Sequence, residues 1–178
     1  MMGMFDADDE EKTANEWLAR LSEAAAGTWA NELTVARLSR GLRDPRTRDM
    51  MALALMDPTL DAPRLAAAAR DTARLAPGAA GDDMLRRRAF AVRPDPARLR
   101  AAHRELSNLA RVAPDCAAAA ADLCTLVFWL AGDRNGLDQM LDRPAPESVY
   151  RVVARFGRDH DVWPGQAADV RRYSVPAI

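Results

Sequence analysis

The amino-acid sequence predicts an all-α protein, a single-domain bundle or stacked array of about seven to ten helices. Apolar side chains recur every three or four residues along most of the 178-residue chain, which is the helical period. Aspartate–proline pairs mark two helix starts, and the alternating pattern of strands is nearly absent. A composition of 49% hydrophobic and 29% charged residues is typical of globular proteins, and the length suits one domain.

The first helix is expected after an acidic N-terminal lead-in, residues 1–12, which could be disordered. Trp17 and Leu21 then fall at helical spacing, and Gly27 closes the helix. A second helix is predicted over residues 31–42. Its buried face is expected to comprise Leu33, Val35, Leu38 and Leu42.

Two later helices begin at Asp44-Pro45 and Asp95-Pro96, where a capping carboxylate precedes a proline in the first turn. The helix after Asp95 carries an apolar stripe at heptad-like spacing. This stripe comprises Leu99, Ala102, Leu106, Leu109 and Ala113. The opposite side carries Arg100, Arg104 and Arg111.

Between these helices, residues 76–83 (APGAAGDD) predict a flexible break. The C-terminal tail, residues 158–178, is expected to add a short helix over residues 166–173.

The segment Ala117–Ala131 is apolar nearly all round, which is typical of a helix at the centre of a bundle. Gly132-Asp133 ends it, a short helix follows, and Pro146 begins a further helix that ends at Gly157.

The formal net charge of −1 argues against strong non-specific binding to nucleic acid or to an anionic membrane. The charge is unevenly distributed: residues 1–32 contain eight acids, and residues 84–112 contain eight arginines. The few opposite charges are Lys12 and Arg20 in the first segment and Asp95 and Glu105 in the second. The acidic start lacks the features of a secretion signal, so a cytoplasmic location is expected.

Catalytic motifs are scarce, because the sequence lacks phosphate-binding glycine loops, an HExxH motif and a nucleophile elbow. His103 and His160 are more typical of boundary and loop residues than of a site, although His160 is flanked by aspartates that could ligate a metal. Cys116 and Cys124 fit no metal or redox spacing and are expected in the core. We therefore expect a protein that is not an enzyme and has no cofactor and no metal.

An arginine cluster is the first candidate site, since guanidinium groups bind phosphates and carboxylates. The candidate anion-binding residues are Arg86, Arg87, Arg88, Arg98, Arg100 and Arg104. The alternative is a solvated helix face that pairs with the acidic N-terminal segment of the same chain or of another copy.

Late aromatic residues are the second candidate site. Trp129, Tyr150 and Trp163 are amphipathic and could line a partner-binding groove. The alternative is that they pack into the C-terminal end of the bundle.

Three short motifs carry a resemblance to a known family. They are Arg48-Asp49 followed by MMALA, LSNLARVAP over residues 106–114, and LVFWLAGD over residues 126–133. Residues 30–156 resemble the C-terminal helical part of the bacterial domain-of-unknown-function family 4192, to which no activity is assigned. The last motif is also similar to a tetratricopeptide unit, in which a Gly-Asp turn joins two antiparallel helices. Here Arg134 replaces the glycine that follows Gly-Asp in the family, and the family's N-terminal portion is not in this sequence.

Three functional hypotheses remain. The favoured one is a non-enzymatic helical interaction module that binds a protein partner or itself. Nucleic-acid or transcription-associated binding through the arginines is an alternative that is not favoured. A small apolar ligand between helices, lined by the Ala117–Ala131 segment, is a further alternative.

Overall fold

The computed structural model describes residues 7–22, 28–72 and 88–164 of the chain. The helices are, in chain order, α1 (Ala7–Leu21), α2 (Glu32–Arg43), α3 (Pro45–Met56), α4 (Ala62–Thr72), α5 (Pro96–Val112), α6 (Ala117–Ala131), α7 (Arg134–Leu141) and α8 (Val149–Asp159), with a 3₁₀ turn (Pro114–Cys116) between α5 and α6. These segments contain helices and connecting turns but no strand. The prediction of an all-α fold is confirmed.

Side chains that cap the backbone fix where the helices begin. Asp44 and Asp95 accept hydrogen bonds from the backbone N–H groups of Thr47 and Ala97, and proline occupies the first turn of both α3 and α5. A capping oxygen satisfies an N–H that has no partner within the helix, and proline has no N–H there to satisfy. Both starts predicted from Asp-Pro pairs are therefore confirmed.

Helix α6 is the centre of the bundle. It packs against α3, α5, α7 and α8. Its fully enclosed side chains include Leu123, Leu126 and Leu130. Within the described residues one helical stretch, Pro114–Ala131, is long and apolar enough to cross a membrane by length and composition, and 56% of it is buried inside the bundle.

The predicted apolar stripe of α5 packs against this central helix. Leu99, Ala102, Leu106 and Leu109 are buried, whereas Ala113 at the end of the stripe is only partly buried. The arginines on the opposite side are exposed, as predicted. Cys116 and Cys124 are also buried, in agreement with their expected place in the core.

Three sequence expectations differ from the structure. Residues 7–12 belong to α1, where acidic side chains in the first turn are stabilised by the positive N-terminal end of the helix dipole. Only residues 1–6 of the lead-in lie outside the described part. Leu33 is 77% exposed, because the core-facing side of α2 is set by Leu38 and Leu42. The last helix begins at Val149 and not at Pro146, since Ser148 provides the cap.

Other expectations fall outside the described residues. They are the end of the first helix at Gly27, the break at residues 76–83 and the helix over residues 166–173.

The C-terminal helices are joined by a glycine turn and an arginine. Gly132 ends α6 with a φ of 73°, in the left-handed region that favours glycine, and Asp133 then caps α7. Arg151 of α8 is buried and donates to the carbonyl oxygens of Met140 (2.9 Å), Leu141 (2.8 Å) and Arg143 (3.0 Å). These bonds satisfy carbonyls at and just beyond the end of α7, which a helix C-terminus otherwise leaves open.

Candidate docking face along helix α5

A buried ion pair positions α5 against α1. Arg20 Nη2 lies 2.8 Å from Glu105 Oε2, and the Glu105 side chain is only 1% exposed. The same Arg20 nitrogen donates to the carbonyl oxygen of Thr28 at 2.6 Å. The pair therefore holds the connection that leads into α2 beside α5.

This arrangement leaves Trp29 on the surface next to α5. Trp29 is 73% exposed, and the guanidinium carbon of Arg111 lies 5.2 Å from the centre of its ring. This is cation–π distance, so each side chain limits the motion of the other. Tryptophan is highly buried on average in folded proteins and is enriched among the residues that dominate binding at interfaces, so this exposed side chain is a candidate binding residue.

A groove of about 500 Å³ runs between this tryptophan and α5. Its lining residues are Arg20, Thr28, Trp29, Arg104, Glu105, Ser107, Asn108 and Arg111. The exposed guanidinium groups of Arg104 and Arg111 lie at its rim, and the buried Arg20–Glu105 pair forms part of its wall. The groove thus combines an aromatic surface with positive charge.

A second groove, of about 440 Å³, lies between α5 and α6. Leu99, Val127, Phe128 and Leu130 give it an apolar wall, and Arg100 and His103 also line it. The ring centres of His103 and Phe128 are 5.0 Å apart. This groove can accept an apolar side chain or a small apolar molecule.

The exposed side of α5 connects the two grooves. We call Trp29, Arg100, His103, Arg104, Ser107 and Arg111, all of them exposed, the α5 face. From Arg100 to Arg111 the face extends about 16 Å along the helix axis, at 1.5 Å per residue. Arg100 and Arg104 have no ion-pair partner among the described residues, so the face is positively charged.

The candidate anion-binding arginines do not form one continuous patch in the described residues. Arg86 and Arg87 lie outside the described part, and Arg88 is partly buried. Arg98 points toward α3, where its Nη1 donates to the Ala54 carbonyl oxygen at 3.2 Å. Burial lowers the pKa of Arg98, although Asp95 opposes this. Arg100 and Arg104 remain available to an anion, and the fold adds Arg111 to them.

The candidate partner-binding aromatics are buried and belong to the core. Trp129 and Tyr150 are almost completely enclosed, and Trp163 is 5% exposed. The Trp129 indole donates to the Val162 carbonyl oxygen at 2.8 Å and packs so closely on Gly157 that a Cβ there would overlap it. We therefore assign these three side chains to packing of the C-terminal helices, and the α5 face does not include them.

A polar cluster where α3, α6 and α8 meet contains two aspartates, Asp49 and Asp122, whose pKa values are raised. The Tyr150 hydroxyl donates to Asp49, and the Arg48 guanidinium carbon lies 6.0 Å from the Tyr150 ring centre. Burial raises the pKa of Asp49 and of Asp122, and it raises the pKa of Tyr150 well above its ordinary value. The Tyr150–Asp49 bond joins α8 to α3, and Asp122 is hydrogen-bonded to Ser148, whereas the buried Nε of Arg48 has no hydrogen-bond partner among the described residues. Because its bonds tie separate segments of the chain together, the cluster fits a structural tie better than a catalytic site.

Histidines and acids elsewhere in the described residues form no metal site. No group of three His, Cys, Asp or Glu side chains within residues 7–22, 28–72 and 88–164 could hold a metal ion. His160 is exposed, stacks on Phe156 with ring centres 4.1 Å apart, and contacts the Phe156 carbonyl oxygen through Nδ1 at 2.9 Å.

The comparisons with known proteins gave no relative. No family model, no curated protein and no solved structure matches the chain.

Sequence reasoning did not identify Trp29 as a site residue. The available indication was its place in the sequence, between the expected helix end at Gly27 and the expected start of the second helix at residue 31, where a large aromatic has no helical core position to fill. Its proximity to Arg111 could not be read from the sequence, because 82 positions separate the two residues.

Proposed function

We propose that this protein is a non-enzymatic helical interaction module that docks a protein partner on the α5 face. The observation that carries the proposal is Trp29, exposed at the rim of a groove and stacked with Arg111. Tryptophan and arginine are the residue types most enriched among side chains that dominate binding energy at protein interfaces.

The charge of the α5 face specifies the partner as acidic. Arg100, Arg104 and Arg111 carry positive charge, and Glu105 is buried in its pair with Arg20. A partner with carboxylates gains charge-assisted hydrogen bonds from the guanidinium groups and is steered to the face from a distance. The groove between α5 and α6 offers a place for an apolar side chain of the same partner.

The family resemblance is part of the same proposal. We propose, on the three motifs that resemble it, that residues 30–156 correspond to the C-terminal helical part of domain-of-unknown-function family 4192, in a bacterial cytoplasmic protein. Helices α6 and α7, joined by Gly132 and Asp133, support the interpretation of a tetratricopeptide-like helix pair. Helix pairs of this type commonly serve protein–protein recognition.

The α5–α6 groove favours one alternative function, binding of a small apolar molecule. Val127, Phe128 and Leu130 of α6 line this groove, and its volume of about 440 Å³ lies in the range of small-molecule sites. Nucleic-acid binding has weaker support, because Arg98 is directed into the protein.

Selection from a peptide library tests the proposal. The wild-type chain is immobilised and used to select from a display library of random peptides of about twelve residues, which as a helix are about 18 Å long and so span the face. We expect the selected peptides to be enriched in Asp and Glu beside an apolar residue. Their affinity for the triple variant Trp29→Ala/Arg104→Ala/Arg111→Ala should fall at least about tenfold, which corresponds to loss of one strong anchor.

The matched control removes charge elsewhere. Arg46→Ala/Arg64→Ala takes two exposed arginines from α3 and α4 and should leave peptide affinity unchanged. Selection of peptides without acidic residues, or equal binding by the triple variant, would overturn the proposal. Tight and steeply salt-dependent binding of a labelled DNA or RNA oligonucleotide by the wild-type chain would instead favour the nucleic-acid alternative.

A further inference from the structure

We propose that the acidic partner of the α5 face is a second copy of this chain, which presents Asp8 and Glu11 of its helix α1. This inference rests on the proposed function, because it names the partner of the same face. Asp8 and Glu11 are exposed on the first turns of α1, where they line, together with Lys12 and Asn15, a shallow polar hollow of about 180 Å³.

The pairing of the minority charges supports this proposal. Arg20 is one of only two cations in residues 1–32, and Glu105 is one of only two acids in residues 84–112. These two residues form the buried ion pair between α1 and α5. Each segment therefore loses one of its few compensating charges to the interior, and the surface charges that remain are more strongly segregated than the sequence alone implies.

The spacing of the charges is complementary. Asp8 and Glu11 are three residues apart on a helix, and Arg100 and Arg104 are four residues apart on another. Both separations place two side chains about 5–6 Å apart on one side of a helix. Two carboxylates of one copy can thus meet two guanidinium groups of the other at the same time.

Within the part of the chain that the structure describes, the acidic residues Asp8 and Glu11 do not pair with Arg100 and Arg104 of the same chain. Asp8 precedes Arg20 by twelve residues, so at 1.5 Å per residue it lies about 18 Å along α1 from the level of the Arg20–Glu105 pair. Arg104 is the neighbour of Glu105, and an arginine side chain is far shorter than this distance. Among the described residues neither Arg100 nor Arg104 forms an ion pair with Asp8 or Glu11. The acidic end of α1 instead contacts α4, where Glu10 lies 3.7 Å from Arg70.

In a two-fold symmetric dimer the contact between the acidic end of α1 and the α5 face forms twice, once in each direction. If the first copy presents Asp8 and Glu11 to the second, a two-fold arrangement presents the same residues of the second copy to the first. Exposed ion pairs contribute only about 0–1 kcal/mol each and weaken with salt. The expected dimer is therefore weak and salt-sensitive, with the Trp29 groove adding apolar contact at the same face.

Sedimentation velocity of the full chain tests this inference. We expect mass above the monomer at low salt (about 20 mM) that falls to the monomer at high salt (about 500 mM), where charges beyond about 4 Å are screened. The variants Asp8→Lys/Glu11→Lys and Arg100→Glu/Arg104→Glu should each be monomeric at low salt. An equimolar mixture of the two should associate again, because the reversed charges are complementary.

The control variant Arg46→Glu/Arg64→Glu changes the net charge by the same amount as Arg100→Glu/Arg104→Glu, but at positions outside the α5 face. It should associate like the wild type. Helix content by circular dichroism checks that each variant is folded. The salt series of the wild type tests the inference even if a variant fails to fold. A monomeric wild type at all salt concentrations, or no association in the mixture, would overturn the inference. If acidic peptides still bind the α5 face in that case, the proposed function stands and only the identity of the partner is wrong.

Discussion

Leu106 lies at the middle of the buried stripe of α5, where its side chain is fully enclosed. Replacing it with alanine removes apolar contacts and leaves a cavity, because the surrounding helices relax only in part. We expect Leu106→Ala to lower the free energy of unfolding by about 2–5 kcal/mol, measured by urea denaturation. Val112→Ala on the exposed end of the same helix should change it by less than about 0.5 kcal/mol. Similar losses for the two variants would contradict the assignment of the core stripe.

The reactivity of the two cysteines, Cys116 and Cys124, tests whether they are buried in the folded protein. Burial raises the pKa of the Cys124 thiol to about 12, and burial also raises the pKa of Cys116. Because the thiolate is the reactive form, both cysteines should resist alkylation by iodoacetamide at about pH 8 in the folded protein and react fully in urea. Mass spectrometry of the labelled chain counts the alkylated cysteines. Rapid modification of native Cys124 would show that the centre of the bundle is open.

Single residues were predictable from the sequence where helical spacing is unambiguous. Leu38 and Leu42 are four positions apart and both are buried, as expected. The expected burial of Leu33 is wrong, because this residue precedes the regular stripe and lies on the opposite side of α2. Burial of an apolar residue near a helix start depends on what packs there, which spacing alone does not specify.

The interface between α1 and α5 contains the buried pair Arg20–Glu105. Glu105→Ala leaves a buried guanidinium without its carboxylate, and we expect a loss of about 3–5 kcal/mol in the free energy of unfolding. The double variant Arg20→Met/Glu105→Leu removes both charges and fills the space with apolar atoms. It should recover to within about 1 kcal/mol of the wild type or exceed it.

Urea denaturation of the wild type, the single variant and the double variant completes the test. A double variant as unstable as Glu105→Ala would show that packing volume, and not the unpaired charge, dominates this interface.

Helix boundaries were predictable where the capping chemistry is local. Asp44-Pro45 and Asp95-Pro96 determine the starts of α3 and α5 through bonds within three residues. The sequence also predicts a helix start at Pro146, which no capping side chain precedes, but the Ser148 side chain accepts from the Arg151 N–H and Arg151 is anchored on α7. The tertiary anchor determines which of the two nearby starts is used.

Two partly buried carboxylic acids make the stability of the whole molecule depend on pH. Burial raises the pKa of Asp122 above its ordinary value of 3.8, against the opposing effects of Ser148 and Arg48, and burial likewise raises the pKa of Asp49. A raised pKa in the folded state means that the folded state binds the proton more tightly. The contribution to stability is therefore present below the ordinary pKa and is lost as the pH rises through the raised one.

The variant Asp122→Asn keeps the size of the side chain and removes the titration. We expect the free energy of unfolding of this variant, relative to the wild type, to increase between about pH 4 and about pH 7. Urea denaturation at several pH values measures this difference. A difference that stays constant with pH would mean that the pKa of Asp122 is the same in the folded and unfolded states, and a difference that decreases would mean that the folded protein stabilises the carboxylate.

The candidate site was less predictable than the fold because it is a property of the whole molecule. The sequence placed Arg100, Arg104 and Arg111 on one side of α5, and the structure agrees. It could not place Trp29 beside them, because that contact depends on how α1 and the connection to α2 pack on α5. Burial of Trp129 followed from the same global packing, in which the central position of α6 leaves its aromatic residues little access to solvent.

The bonds of Arg151 to three carbonyl oxygens make α7 and α8 a single cooperative unit. One side chain of α8 satisfies the end of α7 and the start of the following connection, so neither helix can fray there without breaking all three bonds. Local openings of folded proteins occur in such units. The backbone amides of α7, although this helix has only eight residues, should therefore exchange with deuterium at rates close to those of α8. In the variant Arg151→Met the two helices should exchange independently, α7 first.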